Sequence, residues 1–385
     1  MEGADRRVTK VTVNRLLTSS PNGLLCPNLS HLDCYVTEDI LPLIPLLLSP
    51  RLAHLTLLSY RDIPGLDLGP IFRALPIPCL QALFLDIGSE TMKDFADEIS
   101  SMIRRCGDSL RRLHVSIPLG EATLHHLLRL QNLVSWKNVH DGPPISLPPP
   151  PIFPSLQALS LRGNDAYGWI SWLSRYKRDV LNGSVEYSGS QAPLTCLVFL
   201  GPCHVGAAFI SPLFLFPNLT VLDARSACGK GLPCSFSLTN QDVTQLSIAL
   251  PRLEVLELGR PCAANTTLTT ISCLQTLSTH CKSLQDLSIH FNTTNLVEDV
   301  RSLSADPDFY NFRSLPTKCP LRFFNIWVLP FPRELPDEEI TSIAKAFINI
   351  FPSLLRIVSY AHFEWNSLSL RISQLQETSV PVSKN

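Results

Sequence analysis

The side chains in this chain that could do chemistry are scattered, and their spacing argues against most chemistry. Ten histidines and twelve cysteines are spread over 385 residues. A zinc site needs cysteines or histidines at short fixed offsets, so that several ligands converge on one ion. No C-x-x-C occurs, and the nearest cysteine pairs (Cys196 with Cys203, Cys228 with Cys234, Cys273 with Cys281) lack histidines at matching offsets. His125 and His126 are adjacent, so on a helix they project in different directions rather than as an i, i+4 ligand pair. The run Asp337, Glu338, Glu339 suits the electropositive first turn of a helix better than paired acid–base work. Trp169 and Trp172, three residues apart, read as one packed helix face. Phosphate-cradling, dinucleotide, nucleophile-elbow and zinc-protease motifs do not occur in the sequence. The chain is therefore read as having no catalytic, metal or cofactor residues. Its cysteines, several at apolar positions such as Cys34 and Cys273, read as small buried hydrophobes of a reducing compartment.

Composition points the same way. Formal net charge is -1, with 32 basic and 33 acidic residues, so a nucleic-acid footprint or a polybasic membrane surface has no charge excess to draw on. Only 17% of residues are charged, which excludes a disordered chain and requires a large buried core. The segment Met1 to Arg7 is polar and opens no secretory leader. The apolar run Ile40 to Leu48 is broken by Pro42 and Pro45 and is too short to span a bilayer. The expected location is cytoplasmic or nuclear.

The elements that must carry any function recur. An L-x-x-L motif is anchored at Leu29, Leu52, Leu80, Leu110, Leu133, Leu156, Leu194, Leu219, Leu253, Leu284, Leu321 and Leu354, at irregular intervals of about 30 residues. Proline stands two residues before the anchor leucine at Pro27, Pro50, Pro78, Pro154, Pro217, Pro251 and Pro352. It stops the preceding helix and holds its neighbour extended for the strand. The clearest unit joins Leu238 to Ala249, a capped amphipathic helix with Val243, Leu246, Ile248 and Leu250 apolar, to the strand motif Leu253-Glu254-Val255-Leu256-Glu257-Leu258. Helices are also predicted over Ser89–Cys106, Thr266–Cys281 and Asp337–Ile350 from their apolar spacing. The predicted fold is an α/β leucine-rich-repeat solenoid, or horseshoe. It has parallel strands on the concave face, helices on the convex face and about 11–12 irregular repeats.

Residues 1–23 read as a partial repeat or cap, 24–370 as the solenoid, and 371–385 as a polar, frayed tail. Loops are expected near 141–152, 177–191, 227–237 and 299–316; the first holds the polyproline run Pro143 to Pro151.

Strand alternation nominates the functional side chains. In L-x-x-L-x-L the leucines enter the core, and the third and fifth positions face the concave side. The candidate protein-binding residues are His31, Asp33, His54, Arg112, His114, Asp223, Val255, Glu257, Asp286, Phe323 and Asn325. Apart from Asp33, the first half of this row is basic or imidazole-bearing and the second half acidic, a pattern that could orient a partner of mixed charge.

The P-x-L-x-x-L copies at Pro27, Pro154, Pro217, Pro251 and Pro352, with their variable helical spacers, resemble the leucine-rich part of fungal, mushroom-type F-box/leucine-rich-repeat proteins. The resemblance covers roughly residues 24 to 360. It implies repeats that capture a protein substrate, in a family whose amino-terminal F-box docks onto the adaptor of a cullin ubiquitin ligase. No F-box-like bundle is recognisable before Cys26, so the adaptor is expected as a partner only if an F-box exists elsewhere. The expected function is a non-catalytic substrate-recognition scaffold, acting as a monomer, with no nucleic-acid or membrane partner. The alternatives are a structural or regulatory repeat protein with no ubiquitin link, and a truncated F-box protein.

Overall fold

The computed structural model describes residues 24–59, 67–75, 77–88, 92–139, 155–163, 168–171, 173–174, 194–201, 204–225, 235–259, 268–290, 292–306, 309, 319–326, 335–359 and 363–379. They fall into two compact units, one running through Arg162 and the other comprising Gly163 onward with Leu194 to the end.

The first unit is built on six parallel strands. These are β1 (His31–Tyr35), β2 (His54–Leu58), β3 (Ala82–Asp86), β4 (Arg112–Val115), β5 (Ser135–Val139) and β6 (Ala158–Arg162). They lie side by side in chain order and in continuous register: His31 pairs with His54, His54 with Ala82, Ala82 with Arg112, Arg112 with Ser135, and Ser135 with Ala158. Helices among the described connections include Gly69–Ala74, Ala96–Cys106 and Glu121–Arg129. Parallel neighbours require such crossovers, and one strand is added per repeat in a solenoid-like progression.

The second unit repeats the scheme. Its sheet is β7 (Cys196–Leu200), β9 (Val221–Arg225), β11 (Val255–Leu258), β12 (Asp286–Ile289), β13 (Phe323–Ile326) and β14 (Arg356–Ser359), all parallel and in that order. A separate short parallel pair joins β8 (His204–Val205) to β10 (Ser235–Phe236).

A recurrent turn explains the proline spacing. The anchor leucine's N–H donates to the carbonyl three residues back at Leu29, Leu52, Leu80, Leu219, Leu253, Leu284 and Leu354, with N···O distances of 3.0–3.3 Å. Proline two residues before the leucine therefore occupies the second position of the turn, where its fixed φ is already correct and its missing N–H costs nothing. After each of these leucines beyond Leu29, the next two amides share one carbonyl of the preceding repeat. Glu254 and Val255 both donate to Thr220 O, and Gln285 and Asp286 both donate to Glu254 O. Each turn thus sets the register of the strand that follows.

Leucines fill one face of both sheets. Leu55, Leu57, Leu83, Leu85, Leu222, Leu256, Leu258 and Leu287 are fully buried. In the second unit this face meets the helices: the Phe324 ring lies 5.8 Å from that of Phe347, and Phe199 lies 6.0 Å from Phe209. Cys106, Cys273, Cys281 and Cys319 serve the same core, whereas Cys26 and Cys79 are exposed and Cys34 and Cys196 are half-buried, so the expectation of buried cysteines holds for part of the set. Among the eight described ones no disulfide forms. Cys281 Sγ donates to Leu250 O, and Cys319 Sγ to Leu284 O, each one repeat back. Burial pushes both thiols up, to about 12 and about 11 respectively, so both stay protonated.

The helices match the sequence in kind and differ in extent. Asp337–Ile350 forms as expected. The first helix segment condenses to Ala96–Cys106, with Ile99, Met102 and Ile103 buried. The helix expected from Thr266 begins at Ser272, and Leu268 is exposed because it lies in the preceding bridge with Thr239. Ile248, assigned to the apolar face, is also exposed, whereas Leu250 is buried at the end of that helix. Two boundaries need correction. Part of the loop expected near 299–316 is the helix Leu296–Ala305, held by buried Leu296 and Val300. The frayed tail expected from Arg371 is helical through Ser379, because Trp365, Leu368 and Ile372 form a buried stripe. This last helix lies against β14, where Ile357 N donates to Ser369 Oγ and Gln376 Nε2 donates to Leu354 O. Residues 1–23, the loops near 141–152 and 177–191, residues 227–234 and 310–316, Trp172 and Pro154 lie outside the described residues. Among the described residues, no helix is long and apolar enough to cross a membrane.

Candidate functional site

The strand face opposite the leucines presents side chains in straight rows, because residues two apart on a strand share a face and the registers align across strands. In the first unit one row reads His31, His54, Ala82, Arg112, Ser135, Ala158, and the next reads Asp33, Thr56, Phe84, His114, Lys137, Ser160. A third row ends on Val139 and Arg162. His31, Asp33, Arg112, Lys137 and Arg162 are exposed, and the histidines at 54 and 114 are half-buried.

The register brings His31 and His54 into a ring stack, with centroids 4.2 Å apart and planes within 15° of parallel. Ser30 Oγ lies 2.9 Å from His31 Nδ1. Partial burial lowers the His54 pKa, and the neighbouring His31 and Arg112 lower it further while Asp33 opposes them. His114 packs edge-on against Phe84 at 6.1 Å. Burial lowers its pKa too, aided by Lys137 in the adjacent strand and opposed by Asp86. Both imidazoles are therefore held toward the neutral form, in which they offer one donor and one acceptor.

At the carboxyl ends of these strands lies a cavity of about 380 Å3. Asp86, Ser116, Val139 and Arg162 line it along the third row, with Lys93 and Ser59 at its side. Ser116 Oγ is already committed to Ile87 O at 3.0 Å.

In the second unit the corresponding rows are Cys196, Val221, Val255, Asp286, Phe323, Arg356 and Val198, Asp223, Glu257, Ser288, Asn325, Val358. Asp223 is 5% exposed, so it is not a solvated row residue. Arg225, two residues on along β9, clamps both its carboxylate oxygens, with Nε at 2.9 and 3.0 Å and Nη2 at 2.6 Å. The same guanidinium reaches Glu257 Oε2 at 3.3 Å. Two carboxylates paired directly across strands would repel, and one arginine beside them offsets this. Asp286, Val255 and Asn325 are half-buried, while Phe323 is 44% exposed between Asp286 and Arg356.

Sequence reading missed Ser135 and Lys137, because β5 carries Trp136 and Asn138 where its neighbours carry leucine or valine. Its signal was the buried–exposed alternation alone. It also missed Arg225, whose signal was the same-face spacing Asp223-Ala224-Arg225. Among the described residues, no cluster of three or more histidines, cysteines or carboxylates is arranged to hold a metal ion. A scan against protein-family models gives no match to this chain, and neither does a search of the curated proteins.

Proposed function

We propose that the chain is a non-catalytic protein-binding scaffold of leucine-rich-repeat type, which captures its partner on the strand face. The observation that carries this reading is the division of labour within each strand. One set of alternating positions is spent on buried, leucine-rich rows, and the other displays ordered imidazole, guanidinium, ammonium, carboxylate and aromatic groups. A surface of mixed polar groups around an exposed aromatic such as Phe323 is suited to protein recognition. The P-x-L-x-x-L motifs extend the proposal to substrate recognition of the kind performed by the repeats of F-box subunits of a cullin-type ubiquitin ligase.

Affinity purification of the tagged chain from its native cells, next to a Phe323→Ala variant, tests both parts. The scaffold reading expects proteins retained by the parent and lost with Phe323→Ala, whose fold is checked by its melting curve. The ligase extension expects the cullin adaptor among retained proteins; its absence removes that extension and leaves the scaffold reading standing.

A further inference from the structure

The outward positions of β4, β5 and β6 carry three cations and no carboxylate: Arg112, Lys137 and Arg162. Each is one strand over and two residues on from the last, since Arg112 pairs with Ser135, Lys137 with Ser160, and Val139 with Arg162. They therefore form a diagonal line across the sheet, with steps of about 7–8 Å by strand geometry. All three are exposed, and none forms an ion pair or a side-chain hydrogen bond among the described residues. This contrasts with the second unit, where Arg225 is held between Asp223 and Glu257. Between the three cations lie small or half-buried groups, Ser135, Ala158 and Ser160, which leave room for a chain to lie flat.

From this line of unpaired charge we infer that the strand face of β4–β6 binds an extended peptide segment with acidic residues at alternate positions. The inference rests on the scaffold reading above and names the chemistry of its partner. In an extended peptide, side chains on one face repeat about every 6.7 Å, close to the step of the cation line. Carboxylates at alternate positions can then meet Arg112, Lys137 and Arg162 in succession, and the guanidinium groups can each take a carboxylate through paired N–H donors. A nucleic-acid backbone is the less favoured occupant. Asp86 lies on the same face one strand away, and three cations fall short of the six to ten phosphate contacts of a typical site.

The test is selection of random twelve-residue peptides displayed on phage against the immobilised full chain, followed by titration of the enriched peptides. Enriched peptides should carry Asp or Glu at alternate positions. They should lose about tenfold or more in affinity for an Arg112→Glu/Lys137→Glu variant, as expected for two exposed ion pairs turned into repulsions. Binding should also weaken as salt is raised. The Arg112→Ala/Lys137→Ala variant replaces the reversal if the latter fails to melt cooperatively. Enriched peptides without acidic residues, or indifferent to both variants, overturn the inference and leave the scaffold reading intact. Tighter binding of a twenty-nucleotide oligothymidylate through the same residues also overturns it. Absence of any enrichment overturns it too, and the scaffold reading falls with it only if partner capture through Phe323 also fails.

Discussion

Asn138 shows how one residue can depart from the pattern that surrounds it. It sits in the row of inward side chains between Val115 and Leu161, is 1% exposed, and neither its Oδ1 nor its Nδ2 has a hydrogen-bond partner among the described residues. A buried amide without partners costs free energy that an apolar side chain of similar size does not. Asn138→Leu should therefore stabilise the chain by about 1–3 kcal/mol, read as a higher urea midpoint at unchanged slope. His290 makes the opposite kind of prediction. It is 1% exposed against the Phe236 ring, and burial lowers its pKa to about 4. The folded ring stays neutral while the unfolded one takes up a proton near pH 6.5. Stability should thus be level above about pH 6.5 and fall as pH drops from there toward 4, by on the order of 3 kcal/mol. Urea unfolding across pH 4–7 should show this slope in the parent chain and a reduced slope in His290→Gln; equal slopes would assign the effect to other groups.

Elements were legible to the extent that their signals are local. The helix Asn240–Ala249 was readable because Thr239 and Asp242 stand in capping-box positions. In the structure Thr239 Oγ1 accepts from Asp242 N at 3.2 Å and Asp242 Oδ2 accepts from Thr239 N at 2.8 Å. Asn240 then ties this helix to the next repeat, with its Nδ2 donating to Thr270 Oγ1 and Ser272 Oγ and its Oδ1 accepting from Thr270 N. That bridge spans 30 residues of sequence and has no local signature. Thr239→Ala should cost about 1 kcal/mol in thermal or urea unfolding. The final helix, Phe363–Ser379, escaped notice because polar residues dominate its composition. Its three buried residues take their meaning from the elements this helix lies against, β14 and the helix Asp337–Ile350. Gly259 is a similar case: at φ +80° with the Phe236 ring where a Cβ would sit, it is required by a contact that only the fold creates.

For the molecule as a whole, the repeat was the most legible feature. Proline, anchor leucine and alternation recur together, and each has a separate physical reason to do so. The charge pattern of the candidate face was less legible, because pairing is a property of three dimensions. The acidic row of the second unit loses Asp223 to the Arg225 clamp. The basic row of the first gains Lys137 and Arg162 through the register. In the function proposed above, alternate positions on each strand divide between holding the fold and meeting a partner. Site-specific photocrosslinking reads this directly, with a benzophenone side chain placed in turn at Val255, Phe323 and Arg112 on the strand face and at Lys345 and Arg104 on exposed helix positions. Within each unit, the strand-face positions should give a crosslinked protein and the helix positions none. Crosslinks confined to the helix positions, or equal from both sets, would contradict this division.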